Sequence, residues 1–327
     1  MTMQRRAVLA SALGSAVWPQ ASMAQGGGRM ARIGWVTAQR EASLAPYVAT
    51  FRAGLADLGR VEGRNLAIEF RYGNDVVERV PELVEDLVRL PVDVIVAQGA
   101  AVETINGMSL KIPVVYVTSG DPVASGFAES LARPHPNMTG LTFMSVEFNG
   151  KRLELLREIV PQLRRVAIIA NPEHPGEDLE RTFSFEAGRR LGLSVQLFAT
   201  RTIDDLTAAF ATMAREPPQG LTLFSDGFAV QHRQRIIDAA MRLRVPVLAG
   251  WAVFAESGAL CSYGPRLSDS YRRLAYYADR ILKGAKPADL PIEQPATFEM
   301  VVNLKSAGAL ALAVPTSVLL RADRVIE

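Results

Sequence analysis

Two hydrophobic periods take turns along this chain. Residues 32–37 form an apolar run of strand length, and 47–58 set Phe51, Leu55 and Leu58 on one helical stripe that Gly59 can stop. Residues 66–72 alternate Leu66, Ile68 and Phe70 with Glu69 and Arg71, the pattern of a strand with unequally buried faces that suits a sheet edge. A helical pattern over 81–90 leads into an apolar strand at 92–97, another helix begins near Ala100, and 113–117 supplies a further strand. That strand breaks off into Thr118, Ser119, Gly120, Asp121 and Pro122, where polar side chains replace the buried run.

The alternation then restarts. Segment 132–140 carries Pro134, Pro136, Asn137 and Gly140, which break helices and permit a directed crossover, so the boundary between blocks is placed after it. Beyond 139–145, a helix over 150–160 repeats Leu153, Leu156 and Ile159 and ends before Pro161. Strands follow at 166–170, 194–198, 221–224 and 245–248 with helices between them. The pattern predicts a strand at 261–263, a helix at 267–282, an irregular connection over 284–295, a strand at 298–302 and a helix at 304–312. The expected architecture is α/β with two Rossmann-like lobes: residues 31–143 plus 265–295 in the first, and 144–264 plus 296–327 in the second. Three crossover segments would couple the lobes and still allow hinge closure.

Composition narrows the class. The chain has 327 residues, is 49% hydrophobic and has a mean hydropathy of +0.11, which supports a substantial core and excludes a disordered or fibrous protein. Its 36 basic and 34 acidic residues give a net charge of +2 without long runs of one sign, so no nucleic-acid partner is indicated. Cys261, the single cysteine, cannot form an internal disulfide or a multi-cysteine metal site. The apolar segment 7–18 is too short to span a bilayer, which takes about 20 residues, and no direct membrane insertion is expected. With Arg5 and Arg6 before it and Ser22, Met23 and Ala24 after it, it reads as a signal peptide over 1–24, cleaved after Ala24. Twin-arginine and Sec export both stay open, and the mature chain would be a periplasmic protein with 34 basic and 34 acidic residues.

Several separated motifs carry a resemblance. Asp121-Pro122-Val123, Ser130-Leu131-Ala132-Arg133-Pro134 and Asn137-Met138-Thr139-Gly140-Leu141 are followed by Lys151-Arg152-Leu153-Glu154-Leu155-Leu156 and Ser262-Tyr263-Gly264. Ile281-Leu282-Lys283-Gly284-Ala285-Lys286-Pro287, Phe298-Glu299-Met300-Val301-Val302-Asn303-Leu304-Lys305 and the ending Arg321-Ala322-Asp323-Arg324-Val325-Ile326-Glu327 extend the match over almost the whole mature chain. Together they resemble the ABC-transporter substrate-binding family associated with tryptophan and tyrosine uptake. The resemblance implies a type I periplasmic-binding fold that captures a small-molecule solute and delivers it to an ABC permease served by separate ATPase subunits. His135 and Pro136 stand where many relatives have paired glycines, so this turn is stiffer than the family's pattern.

The expected ligand crevice lies where strands end and helices begin. Thr37, Gln98, Gly99, Ala100, Ser119 and Asp121 are nominated from the first lobe, and Asn171, Ser225, Asp226 and Trp251 from the second. Helix-starting N–H groups near Gly99 and Ala100 can receive a carboxylate, with the Ser119 hydroxyl adding a directional bond. Asp121 and Asp226 can each meet an ammonium or cap the helix that follows, and Trp251 can wall the ligand or fill the core. Tyr116 and Tyr263 suit the sheet interface. The competing functions are a sensory ligand-binding protein and an exported α/β enzyme with Asp121 and Asp226 as acid and base. Ser119 lacks a GxSxG setting, and His135, His174 and His232 lack metal-ligand spacing. No catalytic residue, metal or cofactor is nominated.

Overall fold

The structure, a computed structural model, describes residues 29–143, 146–174 and 176–327. The expected signal peptide, 1–24, lies outside the described residues.

The first sheet is built from β1 (Ala31–Thr37), β2 (Leu66–Tyr72), β3 (Val94–Gln98), β4 (Val114–Thr118) and β7 (Met138–Thr142), in the order β2-β1-β3-β4-β7 with every pair parallel. Helices α1 (Glu41–Asp57), α2 (Val80–Arg89) and α3 (Ala101–Asn106) connect them, and a small hairpin of β5 (Ala128–Ser130) and β6 (Arg133–Pro134) precedes β7. Both faces of this sheet are covered, so β3 and β4 are buried along their whole length, while β2 sits at the edge its alternation predicted.

The second sheet collects β8 (Arg165–Ala170), β9 (Ser194–Ala199), β10 (Gly220–Leu223), β11 (Val247–Ala249), β12 (Cys261–Pro265), β13 (Phe298–Asn303) and β14 (Arg324–Ile326). Its order is β14-β13-β12-β11-β10-β8-β9, parallel except where β13 runs against β12. Helices α4 (Glu147–Ile159), α5 (Glu177–Arg190), α6 (Ile203–Arg215), α7 (Gly227–Gln231), α8 (Arg233–Arg242) and α9 (Ala252–Glu256) flank it. The chain returns to the first sheet in α10 (Leu267–Leu282), then ends in the second with α11 (Leu304–Ala309) and α12 (Thr316–Leu319) around β13 and β14.

Two departures from the sequence pattern matter for the site. Segment 139–145 is given no element by the pattern, yet Met138–Thr142 is a strand of the first sheet. Gly140 makes that pairing possible, since a Cβ there would lie 2.0 Å from Tyr116 O. The segment 304–312 reads as one helix, but α11 stops at Ala309, and Ala311, at φ +55°, reverses the chain.

The return of α10 completes the first lobe. It packs along α1, where a Cβ on Gly54 would lie 2.9 Å from Ala275 Cβ, so the missing side chain lets the helices touch. Between them and the sheet, Trp35 meets Phe51 edge-on at 5.0 Å and stacks with Tyr271 at 6.3 Å. The connection near 293 is tied down by Thr142 N–H to Glu293 O at 3.0 Å and by a two-pronged Arg273–Glu293 pair at 2.7 Å.

Candidate functional site

The C-terminal ends of both sheets face one another across a cleft, the edge at which parallel strands hand over to helix starts. It consists of two joined spaces. A tight box of about 40 Å³ lies between Tyr47, Phe143, Trp251 and Tyr271, with Gln98 on its wall. An open chamber of about 510 Å³ borders it, and both touch Gln39, Gly99, Thr118, Ser119 and Gly227.

Four aromatic rings from both lobes line the box, among aliphatic and polar side chains. Tyr47 from α1 stacks with Tyr271 from α10 at 4.9 Å, and Phe143, just past β7, meets Trp251 edge-on at 5.9 Å. Gln98 Nε2 donates to Tyr271 Oη at 2.6 Å and to Gln39 Oε1 at 3.2 Å. Its own Oε1 is buried without a hydrogen-bond partner among the described residues. Burial pushes the Tyr47 phenol up to about 12, with Glu256 adding to the rise, and holds Tyr271 well above its ordinary value. Both rings are therefore neutral phenols near pH 7. Room for a few waters is all the box offers in this state.

The chamber is polar, and the lobes meet on its wall. His174 Nε2 from the second lobe lies 3.2 Å from Ser119 O of the first, and a Cβ on Gly227 would stand 3.0 Å from Gln39 Nε2. Arg40 pairs with Asp75, and Arg201 pairs with Glu173 at 3.1 Å. Burial raises the carboxyl of Glu103, which its own backbone N–H and then His174 oppose.

Beneath the second lobe's side lies a buried polar network. Arg152 on α4 donates from Nε to Tyr263 O at 3.0 Å and from Nη1 to Asn149 Oδ1 at 2.7 Å. Asn149 in turn donates to Glu180 Oε1 at 3.3 Å. Desolvation lowers the Arg152 guanidinium to about 10 and raises the Glu180 carboxyl, which His174 and then Arg152 pull back. Gly250 and Gly264 make space for the guanidinium: a Cβ on Gly250 would stand 2.4 Å from Ser225 Oγ and 2.7 Å from Arg152 Nη2.

Of the residues nominated from sequence, Gln98, Gly99, Ala100, Ser119, Asn171, Asp226 and Trp251 line these spaces. Thr37, Asp121 and Ser225 do not. Thr37 is buried at the end of β1, where Oγ1 accepts from Gln39 N–H at 3.2 Å. Asp121 turns its carboxylate to Val123 N–H at 2.8 Å and Ala124 N–H at 3.3 Å, the capping alternative. Ser225 is buried beside Gly250. Gly99 lines the cleft, but its N–H is taken by Val117 O at 3.0 Å and cannot serve a ligand carboxylate. Asp226 both lines the chamber and caps α7 through Ala229 N–H at 2.7 Å.

Sequence reasoning missed Tyr47, Tyr271, Phe143, Gln39, Glu103 and His174. Tyr47 and Tyr271 sit near the starts of helices that follow strands, so their positions carried a usable signal. Phe143 and His174 carried none, since their partners across the cleft, Trp251 and Ser119, are distant in the chain. Tyr116 and Tyr263 pack at the sheets, against Phe127 and Phe148 respectively. Cys261 is buried in β12, and desolvation raises its thiol to about 12. Among the described residues, no group of three or more His, Cys, Asp or Glu is placed to hold a metal, and no helix is long and apolar enough to cross a membrane.

The family model for ABC transporter substrate binding proteins matches residues 38–326. The chain belongs to that family. Its fold is the type I periplasmic-binding architecture, and its coarse role is the solute-binding component of an ABC importer for a small molecule. A tyrosine-binding protein of Clostridioides difficile (strain R20291) is 21% identical over 266 residues, covering 80% of this chain and 75% of that protein. A Streptococcus pneumonia ABC domain solved with L-Trp superposes with a TM-score of 0.84 at 21% identity, covering 90% of this chain and 99% of that one. A conserved domain protein of Vibrio cholerae gives the same TM-score, 0.84, at 21% identity, with 91% and 100% covered.

Proposed function

We propose that this family member is a periplasmic receptor for an aromatic, amino-acid-like solute, which it presents in a closed state to an ABC permease with separate ATPase subunits. The observation that carries this reading is the box itself: rings from both lobes converge next to a polar chamber. A ligand whose ring parts Phe143 from Trp251 and whose head group enters the chamber would touch both lobes at once and so favour closure. The names of the two relatives, one tyrosine-binding and one solved with L-Trp, lie in the same direction. Export fits this role through the sequence of residues 1–24. The hinge would lie in the three crossings between lobes 31–143 plus 265–295 and 144–264 plus 296–327.

Titration calorimetry across aromatic and aliphatic amino acids, aromatic acids and nucleosides, with mass spectrometry of material retained on purification, tests the reading. Binding is expected for aromatic members and not for aliphatic amino acids. Binding of none of the aromatic compounds overturns it.

A further inference from the structure

The chain passes between the two sheets three times, after β7, after β12 and before β13. On the second sheet's side each passage carries an aromatic ring: Phe148 in the first turn of α4, Tyr263 in β12 and Phe298 at the start of β13. The Phe148 ring stacks on Phe298 at 4.4 Å and meets Tyr263, tilted, at 5.4 Å. Rings from three separate passages thus share one contact, and none of them lines either space of the cleft. Backbone bonds tie the second and third passages further, since Pro265 pairs with Phe298 and Arg266 N–H donates to Thr297 O at 3.0 Å.

On the first sheet's side the passages are pinned by other means. Glu293 N–H donates to Gly140 O at 3.1 Å, and Phe143 N–H donates to Thr118 O at 2.8 Å. Arg273 of α10 holds the Glu293 carboxylate with two bonds at 2.7 Å. Between these pins and the rings, residues 294–297 run along a cavity of about 240 Å³, across which stand Asp269, Ser270 and Arg273 of α10. Asp269 and Arg273 lie on the opposite face of that helix from Leu267 and Tyr271, which line the aromatic box. The third passage is firm at both ends and has open space beside its middle, where a change of φ and ψ meets least hindrance.

We infer that Phe148, Tyr263 and Phe298 form the bearing of the hinge: the ring contact binds the three passages into one body, so that they turn together about the segment 294–297. Three independent passages could each bend by a different amount, and the lobes would sample a broad range of angles. Passages joined through their rings bend in concert, and the range narrows. The lobe angle is thereby governed from outside the solute cleft, whatever solute the cleft takes.

The test measures lobe angles without a solute. Spin labels at Glu82→Cys in α2 and Ala211→Cys in α6, both exposed positions, give the distance between lobes by double electron–electron resonance, and buried Cys261 stays unlabelled. Phe148→Ala and Phe298→Ala are each expected to widen the distance distribution about twofold, and the double variant to widen it no more than either alone. Phe148→Tyr keeps the stacked ring and is expected to match the parent. Tyr72→Ala, which breaks a stacked pair with Phe70 in β2, remote in sequence from the passages, serves as the control and is expected to leave the distribution unchanged. Distributions unchanged in both alanine variants, or widened as much by Tyr72→Ala, overturn the inference. A double variant that adds the two widenings in full does so too, since the rings would then be separate packing contacts. If an alanine variant does not fold, Phe148→Leu and Phe298→Leu, which keep bulk without a ring, decide by the same criteria.

Discussion

The two walls of the cleft are supported in opposite ways. Under the first lobe's wall, Tyr271 rests on Trp35, which in turn meets Phe51, so the floor is apolar and held by shape. Under the second lobe's wall, the support is Arg152, Asn149 and Glu180, buried among Ser225, Gly250 and Gly264. A floor of rings tolerates any side chain of similar volume, whereas a buried guanidinium fixes backbone carbonyls and amides at set angles. One wall is positioned by packing and the other by directional bonds. The turn carrying Trp251 is therefore expected to be the more sharply defined of the two.

That contrast can be broken by substitution. Arg152→Leu leaves Asn149 Oδ1 and the Tyr263 carbonyl without their donor and Glu180 without the neighbouring positive charge, and is expected to cost roughly 3–5 kcal/mol of stability in urea unfolding. Arg152→Lys should recover only part of this, because an ammonium cannot reproduce the fork. Full recovery would mean that charge alone, not bond geometry, holds the second floor. Trp35→Phe keeps a ring against Phe51 and removes an indole N–H that has no partner in the core, and it is expected to cost only about 1–2 kcal/mol. A loss as large as that from Arg152→Leu would erase the distinction between the floors.

His174 links the second lobe to Ser119 of the first. Removing it in His174→Ala is expected to weaken ligand binding about three- to tenfold by calorimetry, the worth of one hydrogen bond, with little change in unfolding. Equal losses in binding and stability would instead make it a core residue of its own lobe.

The smallest effect is a slope with pH. Burial raises the Glu180 carboxyl above its ordinary 4.5, so the folded chain favours the protonated form. The stability this contributes is complete below pH 4.5 and is lost as pH rises through the folded value. Glu180→Gln does not titrate, so its stability relative to the parent should improve between about pH 4 and about pH 7 in paired urea titrations. A difference that stays flat across that range would remove Glu180 from the account of the second floor.

Much of the fold was legible because its causes are local. The stripe of Phe51 and Leu55, the alternation over 66–72 and the break after Thr118 each report burial within a few residues of themselves. Half-legible features were those with two local uses: Asp121 and Asp226 could each cap or bind, and only Asp226 reached the cleft. The strand Met138–Thr142 was not read as a strand, because its pairing with β4 needs the close approach that Gly140 allows and no local pattern reports that.

The order of elements, the doubled α/β pattern and the strand ends at which a site must form were determined by the sequence itself, since periodicity and breakers act over one or two turns. The aromatic box was decided only by tertiary structure. Its rings come from positions 47, 143, 251 and 271, in α1, after β7, before α9 and in α10, and no spacing along the chain joins them. Arg152 is the plainest case: on a helix whose apolar stripe runs through Leu153 and Leu156, nothing in the pattern marks it as buried. It is buried because two distant glycines, Gly250 and Gly264, leave the volume its guanidinium fills.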